Sequence, residues 1–152
     1  MKIKIAKAKP EQAGQLSQLA MRSKGHWGYS PAFLQAVTGE LTYMNEQVAE
    51  QPTFIATLGG KTVGFYLLAE IDANNVELEA LFVEPDFIGQ GVGKELFFHA
   101  TKEAKRLQYQ AIKIQSDPYA ADFYQKRGCE AIGHMESLSV PGRRLPLFQY
   151  KL

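Results

Sequence analysis

Three glycines at alternate positions, Gly89, Gly91 and Gly93, join an apolar, strand-like run to an amphipathic helix. Glycine has no side chain, so such a stretch lets backbone N–H groups converge on a ligand that approaches closely. The helix that follows directs the positive end of its dipole to the same place. The pattern therefore predicts a cradle for an anion such as a pyrophosphate. The alternative is a tight strand-to-helix connection that binds nothing.

Spacing excludes two common phosphate-binding motifs. A P-loop requires Gly, four residues and then Gly-Lys-Ser/Thr, but Gly93-Lys94 is followed by Glu95, and Ile88 stands where the first glycine is needed. A dinucleotide fingerprint requires Gly-x-Gly-x-x-Gly. Counted from Gly89, its third glycine falls on Lys94.

A second segment, Asp117–Gly128 (DPYAADFYQKRG), follows after one predicted helix and one predicted strand. Together with Val83–Lys94 (VEPDFIGQGVGK), it resembles the GNAT superfamily of acetyl-CoA-dependent N-acetyltransferases. The first segment is similar to that family's Arg/Gln-x-x-Gly-x-Gly/Ala loop, and the second to its Asn-x-x-Ala-x-x-Phe-Tyr-x-Lys-x-Gly segment. The resemblance is close over residues 62–132. It departs at Ile88, where the family has Arg or Gln, and at Asp117, where it has Asn.

The resemblance implies a GNAT fold, a mixed α+β arrangement in which a mostly antiparallel mixed sheet has helices on both faces. Strand Val76–Val83 would part from its parallel neighbour, Ala111–Gln115, and hold the pantetheine arm of acetyl-CoA in the gap. Acetyl-CoA would be the co-substrate, and no metal would take part. The residues expected to bind it are Leu81, Phe82, Val83, Ile88, Gly89, Gln90, Gly91, Val92, Gly93, Lys94, Asp117, Ala120, Phe123, Tyr124 and Lys126.

Catalytic roles follow from what acetyl transfer requires: a carrier site, a stabilised oxyanion, a deprotonated amine and a proton for the leaving thiolate. The resemblance implies that a backbone N–H near Phe82 faces the thioester oxygen. It also places Tyr124 beside the sulfur, where a phenol with a pKa of about 10 can protonate the thiolate. The alternative is a tyrosine that only packs.

Two carboxylates are candidates for the general base. Glu77 and Glu79 are two apart in a strand and point to the same face. Glu77 matches a catalytic Glu of histone-acetylating members, and the two together match a His pair of arylalkylamine-acetylating members. The alternative is a pair of solvated carboxylates on an open strand face.

The acceptor is expected to be a small-molecule or peptide amine. From Glu70 to Asp86 there are six acids and no Lys or Arg, which favours a cationic substrate if these residues line the cleft. Trp27 and Tyr29 lie in a loop where the resemblance implies the acceptor pocket, and aromatic walls suit an amine. The alternatives are an ordinary solvated edge for the acids and a core position for Trp27.

Hydrophobic periodicity predicts the elements that must position these residues. His99 falls on the polar face of the helix after the glycines and is expected to be solvated, whereas Cys129 is expected to be buried. The segment Tyr43–Gln51 is left open. The predicted strands are Lys2–Ala8, Thr53–Leu58, Thr62–Ile71, Val76–Val83, Ala111–Gln115, Ile132–Val140 and Arg144–Leu152, and the helices include Pro31–Leu41 and Tyr119–Arg127.

Bulk properties narrow the class of protein. The 152 residues predict a single domain, residues 1–152, which the resemblance implies is an N-acetyltransferase domain. A net charge of +1 argues against nucleic-acid or membrane-surface binding. The single Cys129 excludes an internal disulfide, and the first residues do not resemble a signal peptide, so a cytoplasmic location is expected. The resemblance also suggests a homodimer through the C-terminal strands.

The sequence thus predicts an acyltransferase that moves an acetyl group from acetyl-CoA to a primary amine by direct attack in a ternary complex. One alternative is a CoA-binding regulatory module without turnover, which Ile88 in place of Arg favours. Another is an adaptor that binds a protein or nucleic acid, against which the neutral charge balance argues.

Overall fold

The computed structural model describes residues 2–152 and contains one mixed sheet with helices on both faces. Its strands are Lys4–Lys7 (β1), Thr53–Leu58 (β2), Lys61–Glu70 (β3), Asn75–Val83 (β4), Ala111–Gln115 (β5), Glu130–Glu136 (β6) and Arg144–Lys151 (β7). Its α-helices are Ala13–Gly25 (α1), Pro31–Val37 (α2), Asn45–Glu50 (α3), Val92–Arg106 (α4) and Ala121–Lys126 (α5). Single turns of 3₁₀-helix occur at Pro10–Gln12, Pro85–Phe87 and Pro118–Ala120.

The strands lie in the order β1-β2-β3-β4-β5-β7-β6. Every neighbouring pair is antiparallel except β4 and β5, which run parallel because α4 crosses between them. This arrangement confirms the predicted fold class, including the parallel pair within a mostly antiparallel sheet.

Helix α4 covers one face of the sheet because its apolar residues recur every three to four positions. Val92, Leu96, Phe97, Ala100 and Ala104 are buried, whereas the opposite face is charged. The helix starts directly after Gly91, whose left-handed backbone (φ 88°) turns the chain out of the glycine loop, and it ends with two basic residues that favour its negative end.

Helices α1, α2 and α3 cover the other face. Leu16, Leu19 and Ala20 of α1 pack with Val37 of α2 and Val48 of α3 in a second buried cluster. Helix α2 begins at a Ser-Pro pair, in which the Ser30 hydroxyl accepts a hydrogen bond from Phe33 N at 3.1 Å. The segment Tyr43–Gln51, whose structure the sequence did not decide, thus contains the short helix α3.

Two sequence predictions require correction. His99 is half-buried rather than solvated: its Nδ1 lies 2.7 Å from the Tyr66 hydroxyl, and its ring lies 4.6 Å from that of Phe54. Strand β6 ends at Glu136, not Val140, because the Ser137 hydroxyl accepts hydrogen bonds from the N–H groups of Ser139 and Val140 and holds a turn.

Candidate active site

The parallel strands β4 and β5 separate part-way along their length. They pair at Asn75, Val76 and Glu77, opposite Ala111, Ile112 and Lys113, and pairing stops there. On its other side, β4 stays paired with β3 as far as Val83. A gap therefore opens inside the sheet, with one free backbone edge of β4 along it.

A β-bulge marks the point of separation. Leu67 and Leu68 of β3 are consecutive, yet they pair with Ala80 and Leu78, so Glu79 is an extra residue in β4. Leu78 packs on the α4 side of the sheet and Ala80 on the α1 side. The strand thus keeps both faces covered while it bends away from β5.

The free edge of β4 presents specific backbone groups. Glu84 N donates to Val63 O at 2.8 Å, and the ladder alternates along an antiparallel pair. Phe82 and Ala80 therefore bond to β3, while the N–H and C=O groups of Leu81 and Val83 face the gap. The N–H expected near Phe82 is thus that of a neighbouring residue, because Phe82 N–H belongs to the ladder with Phe65.

The glycine loop follows β4 directly and leads into α4. Gly89 and Gly91 have φ values of 85° and 88°, a left-handed conformation that residues with side chains adopt at a cost. Gly93 is needed for a different reason, since a Cβ there would lie 3.1 Å from Cε1 of Phe123. The loop therefore depends on glycine for its turns and for close packing against α5.

The gap and the loop open into one cleft with a volume of about 970 Å³. It is lined by all the residues predicted to bind the cofactor except Gln90 and Val92. Val92 is buried in the core, and the Gln90 side chain donates to Asp86 O at 3.2 Å.

Tyr124, on α5, lines this cleft. Its ring is buried against Phe123, Phe148 and Phe97, with centroid distances of 5.2, 6.0 and 6.3 Å. Burial, with smaller effects from Cys129 and Asp117, raises the pKa of the phenol well above its usual value. The group stays protonated at neutral pH and is available as a proton donor.

Glu77 and Glu79 both line the cleft from β4. Gln47 of α3 donates from Nε2 to Glu79 Oε2 at 3.2 Å. Burial and the charge of Glu79 raise the pKa of Glu77. Burial also raises the pKa of Glu79, with Gln47 acting in the opposite direction. Raised values bring both carboxylates closer to the range in which a base exchanges protons at neutral pH.

Asp117 lies at the centre of a cluster of polar side chains. Its Oδ2 accepts from Lys24 Nζ at 2.6 Å and from Arg143 Nη2 at 3.1 Å, while the Tyr29 hydroxyl lies 3.0 Å from both carboxylate oxygens. Its Oδ1 also accepts from Tyr119 N at 2.8 Å. Burial favours a higher pKa for Asp117, but the hydrogen bond and charge of Lys24, with the other donors, outweigh it and hold the pKa below its usual value.

The two predicted aromatic residues of the acceptor pocket have different positions. Trp27 lines the cleft and stacks on Tyr119, with centroids 5.4 Å apart and ring planes within 5°. Tyr29 does not itself line the cleft: its ring stacks on Phe33 at 3.9 Å, and its hydroxyl lies 3.0 Å from the carboxylate of Asp117. Burial is the main cause that raises the pKa of Tyr29 to about 12.

Comparison with known proteins agrees with this geometry. The family profile of the acetyltransferase (GNAT) domain matches residues 19–137, most of the chain. The chain belongs to the GNAT acetyltransferase family.

Individual relatives extend the match. Peptidyl-lysine N-acetyltransferase YjaB of Salmonella typhimurium strain LT2 is 32% identical over 139 residues, which cover 90% of this chain and 89% of that protein. The PaiA N-acetyltransferase of Thermoplasma acidophilum, solved in complex with coenzyme A, has a TM-score of 0.82 over 100% of both chains at 21% identity. A GNAT acetyltransferase of Elizabethkingia anophelis with acetyl-CoA bound has a TM-score of 0.70 over 99% of this chain and 98% of that one, at 17% identity.

Several lining residues of this GNAT acetyltransferase were missed by the sequence analysis. Arg127, at the end of α5, lines the cleft, and its guanidinium lies 5.2 Å from the centre of the Phe123 ring. It falls inside the second motif, beside Lys126, and its charge was the available signal. Glu40 and Leu138 also line the cleft, but they lie outside both motifs and nothing in their local sequence marks them.

Residues 2–152 of this GNAT acetyltransferase contain neither a candidate metal site nor a candidate membrane-spanning helix. No group of three or more His, Cys, Asp and Glu side chains in this range is arranged to hold a metal ion. Within the same residues, no helix is both long and apolar enough to cross a membrane.

Proposed function

We propose that this acetyltransferase moves the acetyl group of acetyl-CoA to a primary amine by direct attack within a ternary complex. The observation that carries the proposal is a single cleft in which the free edge of β4, the glycine loop, one buried tyrosine and two carboxylates meet. Each of these features supplies one requirement of acetyl transfer to an amine.

The carrier fits the free edge and the loop. Leu81 and Val83 direct their backbone groups into the gap, where the two amides of pantetheine replace the missing strand. The N–H groups from Gly89 to Gly93 and the start of α4 receive the pyrophosphate. Lys94, Lys126 and Arg127 line the same cleft and add positive charge there, which offsets the absence of a cation at Ile88.

In the chemical step, the amine nitrogen attacks the thioester carbonyl, the carbon–sulfur bond breaks, and the sulfur receives a proton. A free backbone N–H beside Phe82 stabilises the oxyanion, and the loss of such a donor typically costs about 3 kcal/mol. Tyr124 supplies the proton to the thiolate, because a phenol is protonated at neutral pH and burial keeps the pKa of Tyr124 above its usual value.

The nucleophile must be a neutral amine. A lysine-like ammonium has a pKa of about 10.4 and is protonated at neutral pH. Glu77 and Glu79 accept its proton, either directly or through water, and their negative charges draw the cation into the cleft. Glu40 adds a third carboxylate to the same cleft.

The 32% identical relative is a peptidyl-lysine N-acetyltransferase, which supports a primary amine as the acceptor. Trp27 provides an aromatic surface for the part of the acceptor that carries the amine.

The test is a pair of measurements on the purified protein. Calorimetry with coenzyme A should give a saturable heat of association, and acetyl-CoA with a panel of lysine peptides, polyamines and arylalkylamines should release free thiol. Absence of heat at millimolar coenzyme A would overturn the proposal. Binding without thiol release on any amine would instead indicate a CoA-binding regulatory module.

We also propose that residues 1–152 work as one domain in the cytoplasm and form a homodimer. Cys129 is the single cysteine and is buried, which suits a reducing compartment. β6 is the last strand in the order and its side chains are mostly exposed, so it offers an edge for pairing. Light scattering after gel filtration should give a mass near 34 kDa, twice the 17.0 kDa of one chain; a mass of one chain would exclude the dimer.

A further inference from the structure

The Asp117 cluster joins three segments that are far apart in the sequence. Lys24 lies in the last turn of α1, Asp117 follows β5, and Arg143 ends the turn between β6 and β7. Lys24 and Asp117 are 93 residues apart, and Arg143 and Asp117 are 26 apart. Arg143 also lies over the Phe33 ring, 4.8 Å from its centre, and donates to the Tyr29 hydroxyl at 2.9 Å.

Burial makes these contacts matter more than ordinary surface ion pairs. The side chains of Lys24, Asp117 and Arg143 are only 12, 11 and 13% exposed. Charges held this far from water are stable only with hydrogen-bonded partners of opposite sign. The carboxylate is the one negative group that serves both cations, so its loss would leave two like charges close together.

The two cations lead into segments that line the cleft. After Lys24 comes the loop that carries Trp27, and before Arg143 comes the turn that carries Leu138. The backbone hydrogen bonds of both segments are local, from His26, Trp27 and Gly28 to residues 23–25, and from Ser137 to Arg143. The connection between them and the end of β5 is therefore made by side chains, with Asp117 at the centre.

The two segments that carry Trp27 and Leu138 form what we call the wall of the cleft, and Leu138 is unusually exposed in it. It is 95% exposed although it is a large apolar residue lining the cleft, and Trp27 lines the same cleft from the other segment. An exposed apolar residue held in place by an ordered turn is suited to contact a ligand.

We propose that Asp117 is a positioning residue for the acceptor: through Lys24, Tyr29 and Arg143 it fixes the wall that carries Trp27 and Leu138. This inference rests on the proposed function and departs from the family pattern, which places this position among the cofactor residues. The donors to the Asp117 carboxylate come from the segments that carry Trp27 and Leu138 or from the turn that Asp117 caps.

One substitution separates the two roles of the carboxylate. Asp117→Asn keeps an oxygen that accepts from Tyr119 N, so the turn leading to Tyr124 is retained. It removes the charge on which Lys24 and Arg143 depend. Lys24→Met and Arg143→Met remove one partner each and should reproduce the effect if the ion pairs carry it.

Steady-state kinetics should show an acceptor KM raised about ten- to hundred-fold in Asp117→Asn, as expected when a positioning wall is released. The KM for acetyl-CoA should change less than about two-fold, or under about 0.4 kcal/mol, because the substitution leaves in place the backbone groups of β4 and the glycine loop. Arg22→Met is the matched control: Arg22 lies in the same last turn of α1 and pairs with Glu84, at a site that does not line the cleft. A raised KM for acetyl-CoA with an unchanged acceptor KM would overturn the proposal and make Asp117 a cofactor ligand.

A second readout needs no activity, and it separates failure of this inference from failure of the proposed function. Trp27 is the only tryptophan, so fluorescence excited at the red edge of the absorption band, where the seven tyrosines absorb little, reports on the wall. Quenching by acrylamide should increase in Asp117→Asn, Lys24→Met and Arg143→Met and stay unchanged in Arg22→Met. Equal quenching in all variants would overturn the proposal whether or not the protein turns over any amine.

Discussion

The two ends of the cleft are built from different parts of the polypeptide. The end proposed to bind the cofactor, the cofactor end, consists mainly of backbone: the free edge of β4, the glycine loop and the start of α4, all within one continuous stretch. The end proposed to bind the amine, the acceptor end, consists of side chains from α1, its following loop, β4 and the turn before β7. The cofactor end should therefore be sensitive to backbone conformation, and the acceptor end to the identity and charge of single side chains.

Tyr124 lines the cleft as the proposed proton donor, and its loss should have the largest effect. Tyr124→Phe keeps the buried ring but removes the proton donor, so kcat should fall by about 10²–10⁴-fold. Coenzyme A affinity by calorimetry should be unchanged. Tyr150→Phe is the control, because Tyr150 packs on the same Phe97, at 5.4 Å, but does not line the cleft. A Tyr124→Phe enzyme as fast as wild type would remove this residue from the chemistry.

Substitution of either β4 carboxylate should have the next largest effect. It should also shift the pH dependence of kcat/KM in a direction that can be predicted. Glu77→Gln should lower kcat/KM by roughly ten- to hundred-fold, because one proton acceptor is lost and water or Glu79 remains. A base works when deprotonated, so activity should rise as pH rises through its raised pKa.

Removing the neighbouring charge should lower that pKa, so Glu79→Gln should move the acidic limb of the kcat/KM profile to lower pH. Glu46→Gln, on the exposed side of α3, should leave the limb in place. A shift to higher pH in Glu79→Gln would contradict the assignment of Glu77 as the base.

A substitution in the glycine loop tests the cofactor end of the cleft, which is built mainly from backbone. Gly91→Ala requires a left-handed conformation that costs an alanine about 1–2 kcal/mol, so the binding-competent loop is less populated and the Kd for coenzyme A should rise about ten-fold. Gly14→Ala, inside α1 with open space at its Cβ, is the control and should bind normally. Unchanged affinity in Gly91→Ala would mean that the loop conformation does not determine binding.

The smallest effect that we expect is a gain in affinity for coenzyme A. Ile88 is 37% exposed at the position where the family has Arg or Gln. Ile88→Arg should lower the Kd for coenzyme A by only a few-fold, because an exposed ion pair contributes about 0.2–1 kcal/mol. The gain should shrink as salt is added. Ile71→Arg, an exposed isoleucine outside the cleft, should leave the Kd unchanged.

The difference between the two ends of the cleft also explains which of its residues could be predicted from the sequence. The glycine loop, α4 and the strand before them follow from local backbone rules, so Gly89, Gly91 and Gly93 could be recognised from spacing alone. The Asp117 cluster could not, because its partners come from segments 93 and 26 residues away. His99 was placed wrongly for a similar reason: its partner Tyr66 is 33 residues away, on a different element.

The bulge in β4 has a consequence for how acceptor preference can change. Between Val76 and Val83, Glu79 is the one residue without a partner in β3, since Leu78 and Ala80 already meet consecutive partners. Its side chain points into the cleft without taking part in the alternation that covers the two faces of the sheet. Under the proposed function, we expect substitutions at this position to change the charge inside the cleft, and with it the preferred acceptor, while the rest of the strand keeps its pairing with β3.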